Sequence, residues 1–172
     1  MPEGANEPKR HTILRDGLIA GLLGATAVAL WFFIVDLIAG RPFFTPVGLG
    51  RGLFSIFGQG RGDSAVLLVI GYTIFHYLAF ILVGLIAALI VHVAEREPSI
   101  LAGALILFVA IEIGFYAMSS ALAHSPFFGT LSWIQVSVGN LVAALVMGTY
   151  LWRTHPELKD ELDFALSGRE SR

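Results

Sequence analysis

The chain has 172 residues, of which 56% are hydrophobic and only 14% charged, whereas a soluble domain carries charge on about a quarter of its residues. Mean hydropathy is +0.77, and the charges sit in clumps between apolar runs too long for buried helices of a soluble protein. A net charge of -2 without a basic stripe excludes a nucleic-acid partner, and the lack of cysteine excludes disulfides, thiolate zinc sites, iron–sulfur clusters and covalently attached haem c.

Residues 1–12 are polar, contain Pro2 and Pro8, and read as a disordered tail. Lys9, Arg10 and Arg15 precede the first apolar run, as in a signal peptide. The run from Gly17 to Ala39, roughly 23 residues, is longer than a signal core of about 7–15, and Leu37-Ile38-Ala39 is a poor cleavage site, so a retained helix is expected. That first helix spans about 14–40 and stops at Gly40-Arg41-Pro42.

Loop 41–62 contains Thr45-Pro46, a helix-start pair, and the apolar residues Val47, Leu49, Leu53, Phe54, Ile56 and Phe57. It reads as a short amphipathic segment lying in the membrane interface. The glycine runs Gly48-Leu-Gly-Arg-Gly52 and Gly58-Gln-Gly-Arg-Gly62 lack the Lys-Ser/Thr of a phosphate-binding loop and read as flexible linker. Arg61-Gly62-Asp63 matches a cell-adhesion tripeptide, a match short enough to arise by chance.

The second helix starts at the N-cap residues Asp63 or Ser64 and covers about 63–94. The third follows the turn Glu95-Arg96-Glu97-Pro98 and covers about 99–124. The fourth opens with Ser125 as N-cap and Pro126 as first helical residue and covers about 126–154. Each is long enough for a hydrocarbon core of about 30 Å. Strands fail as an alternative because apolar and polar residues do not alternate. Residues 155–172 form a tail in which Thr154 and Glu157 make a capping-box pattern ahead of a short amphipathic helix. No internal repeat relates the two halves, which weakens a repeat-built transporter. The expected fold is all-α: a polytopic four-transmembrane-helix bundle, 13–154, with an interfacial segment after helix 1.

Lys9, Arg10, Arg15, Arg96, Arg153 and Lys159 flank one side of this bundle, against Arg41, Arg51 and Arg61 on the other. Both termini are therefore expected in the cytoplasm, with the bundle in a bacterial-type inner membrane or a plasma membrane.

Polar residues within the helices gather near the 41–62 and 124–126 loops. Asp36, Tyr72, Thr73, His76, Glu112, Tyr116, Gln135 and Asn140 fall in that outer half, while 80–91, 100–111 and 141–147 are wholly apolar. Glu112 and Tyr116 share one helical stripe, as do Tyr72 and His76. The expectation is an outward-facing polar vestibule bounded by Glu112, His76, Asn140, Tyr116, Tyr72, Gln135 and Asp36 above a dry inner plug. Small-residue ladders, Gly17-x-x-x-Gly21-x-x-x-Ala25 and Asn140-x-x-x-Ala144-x-x-x-Gly148, are expected to pack the plug, with dimerisation as the alternative.

Glu112 admits a structural hydrogen bond, a proton-accepting role or a ligand anchor. His76 admits an axial tetrapyrrole ligand or, with Glu112, a metal site, although no motif implies a cofactor. Asp36 is expected to pair with Arg41. Trp31, Trp133 and Trp152 read as interfacial anchors. No catalytic motif is present. The leading expectation is a non-enzymatic protein, either an accessory subunit of a larger membrane complex or a binder of a small or lipophilic ligand. A proton-coupled carrier or channel subunit using Glu112 and His76 and a membrane-embedded metal-dependent enzyme are the alternatives. The expected partners are the lipid bilayer and other membrane subunits.

Overall fold

The computed structural model describes residues 7–56, 64–94, 97, 99–102, 105, 109, 113 and 133–155. Among these there is no strand, and four helices carry the architecture: α1 (Glu7–Ile38), α2 (Phe44–Ile56), α3 (Ala65–Ala94) and α4 (Trp133–Thr154). Three stretches, Ile13–Ile38, Ala65–Ala94 and Ile134–Thr154, are long and apolar enough to cross a membrane. Of the helix expected over 99–124, residues 99–102, 105, 109 and 113 are helical, and the remainder lies outside the described residues.

Helix α1 begins at Glu7, inside the stretch expected to be an unstructured tail. Pro8 is compatible with this start, because a first-turn residue has no intrahelical acceptor for an N–H to lose. The helix ends close to the expected point, with Gly40 at φ +68°. Arg41 N–H donates to the Asp36 carbonyl (2.9 Å) and Gly40 N–H to that of Leu37 (3.0 Å), which is a Schellman termination. Phe43 then adopts φ +66°, a conformation that costs a residue with a Cβ about 1–2 kcal/mol, and the chain turns directly into α2.

Residues 48–52 are therefore helical rather than flexible linker. Glycine is needed here for contact: a Cβ on Gly50 would lie 2.9 Å from the Leu68 carbonyl carbon, and one on Gly71 would strike the Phe54 ring at 2.6 Å. Helix α2 thus seats directly on the first half of α3. That half is opened by Ser64, whose hydroxyl accepts the Leu67 N–H (3.2 Å), the expected N-cap bond.

Helix α1 is central and packs on both α3 and α4. At its N-terminal end Gly17 and Gly21 meet α3 backbone to backbone. A Cβ on Gly17 would come within 2.7 Å of the Leu85 Cα, one on Gly21 within 2.7 Å of the Ile81 Cα, and one on Gly84 would land on the Gly17 carbonyl oxygen. The first small-residue ladder therefore packs within the chain.

The ladder expected on α4 does not. Gly148 has nothing within 4 Å of a built Cβ, while Gly139, Ala143, Met147 and Leu151 are buried. The inward stripe is displaced by one residue, about 100° around the helix, and includes a methionine and a leucine that no small-residue pattern reveals. Met147 fits because it fills the space left by Gly24.

The outer surface of α3 is apolar along one line, with Val66, Ile70, Ile74, Leu78, Leu82 and Ile86 all at least half exposed. A soluble monomer does not expose a stripe of that size, whereas lipid solvates it without penalty.

Candidate functional site: a cavity between α1, α2 and α3

A cavity of about 280 Å³ lies between α1, α2 and α3. Helix α1 contributes Thr26, Ala29, Leu30, Phe33 and Asp36 among others; α2 and its approach contribute Phe43, Thr45 and Pro46; α3 contributes Val69, Tyr72, Thr73, His76 and Tyr77. Its walls are dominated by hydrocarbon and aromatic rings. Leu30, Phe33 and Phe43 are 56%, 39% and 50% exposed, so the apolar flank is open rather than sealed.

Each polar group in the wall has a traceable partner, with one exception. Asp36, 4% exposed, accepts from the Thr45 N–H at Oδ2 (2.7 Å) and from the Thr45 hydroxyl at Oδ1 (2.8 Å). The expected Asp36–Arg41 pair is thus replaced. Thr45 lies in the first turn of α2, where backbone N–H groups lack intrahelical acceptors and a carboxylate is favoured. The Arg41 guanidinium instead lies 4.2 Å over the Phe44 ring. Asp36 therefore fastens α2 to α1 and shapes the cavity mouth.

His76 is 8% exposed and its Nε2 lies 3.0 Å from the Ala25 carbonyl oxygen. A carbonyl can only accept, so Nε2 carries the proton and donates. In this arrangement Nε2 is engaged, and Nδ1 is the ring nitrogen left as an acceptor or ligand. The ring packs on Phe80 (centroids 4.7 Å apart) and is flanked by Tyr72 (5.7 Å) and Tyr77 (5.9 Å). Thr26 donates to the Leu22 carbonyl (2.8 Å), so its contact with the Tyr77 hydroxyl (3.0 Å) has Tyr77 as donor. Thr73 donates to the Val69 carbonyl (2.7 Å). The Tyr72 hydroxyl is the exception: it has no hydrogen-bond partner among the described residues.

Of the seven residues expected to share a vestibule, Asp36, Tyr72 and His76 line this one cavity. Gln135 and Asn140 do not. Both belong to α4, and the Gln135 backbone carbonyl is occupied by the Trp31 indole N–H (2.9 Å). Trp31 is thereby an interhelical contact, also packed over Gly139. Glu112 and Tyr116 lie outside the described residues, so the proposed Glu112 partnership with His76 lies outside them too. No group of three or more His, Asp or Glu side chains among the described residues is placed to hold a metal ion.

A second polar cluster escaped the sequence reading. Asp16, 4% exposed on α1, accepts from the Tyr150 hydroxyl (3.2 Å) and lies 3.5 Å from His155 Nε2, just past α4. Asp16 and Tyr150 lie in the outermost turns of their apolar spans and His155 just past one, where charged groups are normally solvated, so neither composition nor periodicity marks them. They clasp the far ends of α1 and α4. The Thr154 hydroxyl donates back to the Tyr150 and Leu151 carbonyls (both 3.1 Å), closing α4.

The fold and cavity define a helical protein with three helices able to cross a membrane and a largely apolar chamber between two of them and a short third element. No protein-family model, curated protein or solved structure matches the chain.

Proposed function

We propose that this chain is a non-enzymatic multi-pass membrane protein that binds a small lipophilic molecule in the cavity between α1, α2 and α3. In this reading the helices at 13–38, 65–94, 99–124 and 126–154 form a four-helix bundle, α2 lies at the interface, and both ends of the chain face the cytoplasm of a bacterial-type inner membrane or a plasma membrane. The supporting observation is a cavity of about 280 Å³ whose walls are apolar and aromatic, open on a flank that faces lipid in this reading. An engineered apolar cavity of about 150 Å³ is enough to hold benzene, so the space here suits a two-ring molecule. Ligand chambers are typically apolar with a few polar groups, and this one has that constitution.

The polar groups carry no sign of a reaction centre. Asp36 is committed to α2 and His76 Nε2 to α1, so neither is poised to shuttle protons. The carrier reading rests on Glu112, outside the described residues, and no observation favours it.

The test is binding of 2-methylnaphthalene to the full chain in nanodiscs, measured by equilibrium partition against empty discs. Saturable binding near one per chain is expected, abolished by Ala29→Trp and by Val69→Phe, which fill the cavity from α1 and from α3. Partition equal to empty discs, or binding untouched by both fillers, would overturn the proposal.

A further inference from the structure

We infer that the cavity selects a neutral, flat, carbonyl-bearing ring, of the kind found in the head of a quinone, and that Tyr72 supplies the hydrogen bond that recognises the carbonyl. This inference rests on the ligand-binding reading above and narrows it to a chemical class.

Charge is the first discriminant. Among the described residues no lysine or arginine lines the cavity, so a carboxylate or phosphate head would enter without a counter-ion. The one acidic side chain in the wall, Asp36, has each oxygen engaged by Thr45 at the N-terminus of α2, which partly offsets its charge and weakens its pull on a cation. Burial of an unpaired charge in an apolar space is strongly unfavourable, so the occupant is neutral.

Shape is the second. Phe33, Phe43, Tyr72, His76 and Tyr77 surround the space, and ring walls favour a ring that can stack or meet them edge-on. A volume of about 280 Å³ accommodates two fused rings, while an attached chain could leave through the flank at Leu30, Phe33 and Phe43.

Hydrogen-bond accounting is the third. Tyr77 donates to Thr26, Thr73 to Val69 and His76 Nε2 to Ala25, whereas the Tyr72 hydroxyl has no acceptor among the described residues. A phenol drawn out of water needs an acceptor. A ligand carbonyl provides one, and a hydrocarbon does not.

The experiment compares 2-methyl-1,4-naphthoquinone with 2-methylnaphthalene on the full chain in nanodiscs, correcting each for partition into empty discs. The chain contains no cysteine, so the quinone has no thiol to alkylate. The quinone is expected to bind about three- to tenfold more tightly than the hydrocarbon, the worth of one neutral hydrogen bond. Tyr72→Phe should bring quinone and hydrocarbon to equal affinity, with saturable hydrocarbon binding retained to show that the variant folded. Equal affinities in the wild type, or a quinone preference that survives Tyr72→Phe, would overturn the inference while leaving the cavity reading intact. Absence of binding by either compound would instead remove the cavity reading itself.

Discussion

The two ends of the α1–α3 pair are built on opposite principles. At the N-terminal end of α1, Gly17, Gly21 and Gly84 bring the helices into backbone contact, and nothing wider than a hydrogen fits between them. Further along, the same helices are held by side chains: His76 reaches the Ala25 carbonyl, Tyr77 reaches Thr26, and α2 is wedged in and fastened by Asp36. In the proposed membrane setting, helices gain no hydrophobic energy from associating, so close van der Waals packing must hold one end. With that end locked, the other can tolerate a cavity. The lesson is a division of labour within one helix pair, with small residues for cohesion and aromatic and polar residues for a chamber.

The contrast is broken most severely at the tight end. Gly84→Leu would force a side chain into the Gly17 backbone, where no flexible atom can give way, and overpacking there should cost about 3 kcal/mol or more. Unfolding in mixed micelles should show loss of the native transition. At the open end, Asp36→Ala leaves the Thr45 N–H and hydroxyl without their acceptor and should cost about 1–3 kcal/mol. It should also make the 44–56 segment more susceptible to proteolysis. Asp36→Asn should lose less, because its amide oxygen still accepts one of the two bonds.

A smaller effect sharpens the comparison. His76→Phe keeps a ring against Phe80 but deletes the bond to Ala25, and should cost about 0.6 kcal/mol, the average for an interhelical hydrogen bond inside a membrane. A loss several times larger would show that His76 does more than tie α3 to α1. Least of all, Gly148→Ala should shift stability by no more than about 0.5 kcal/mol, because its Cβ meets nothing.

The apolar runs made three membrane-length helices legible from composition alone, and the cap at Ser64 and the stop at Gly40 followed from local chemistry. Gly17 and Gly21 were legible as packing residues because small-residue spacing has a direct physical meaning in lipid. The α4 ladder misled because several small residues lie on that helix, and rotation about its axis is set by partners, here Gly24 and Trp31. Asp36 misled for a related reason. A carboxylate five residues from an arginine looks like a salt bridge, but a nearby helix N-terminus competes for it and wins by geometry. The co-location of Asp36, Tyr72 and His76 was foreseeable from their depth, whereas the exclusion of Gln135 and Asn140 depends on which face α4 turns toward α1.

The most direct test of the chamber is photo-crosslinking of the full chain in liposomes with benzophenone, a neutral two-ring ketone, followed by mapping of the adducts by mass spectrometry. Adducts should concentrate on Phe33, Phe43 and Tyr72 and disappear in Ala29→Trp. Labelling spread along Val66, Ile70, Ile74 and Leu78 on the exposed apolar stripe, and indifferent to Ala29→Trp, would contradict a binding cavity.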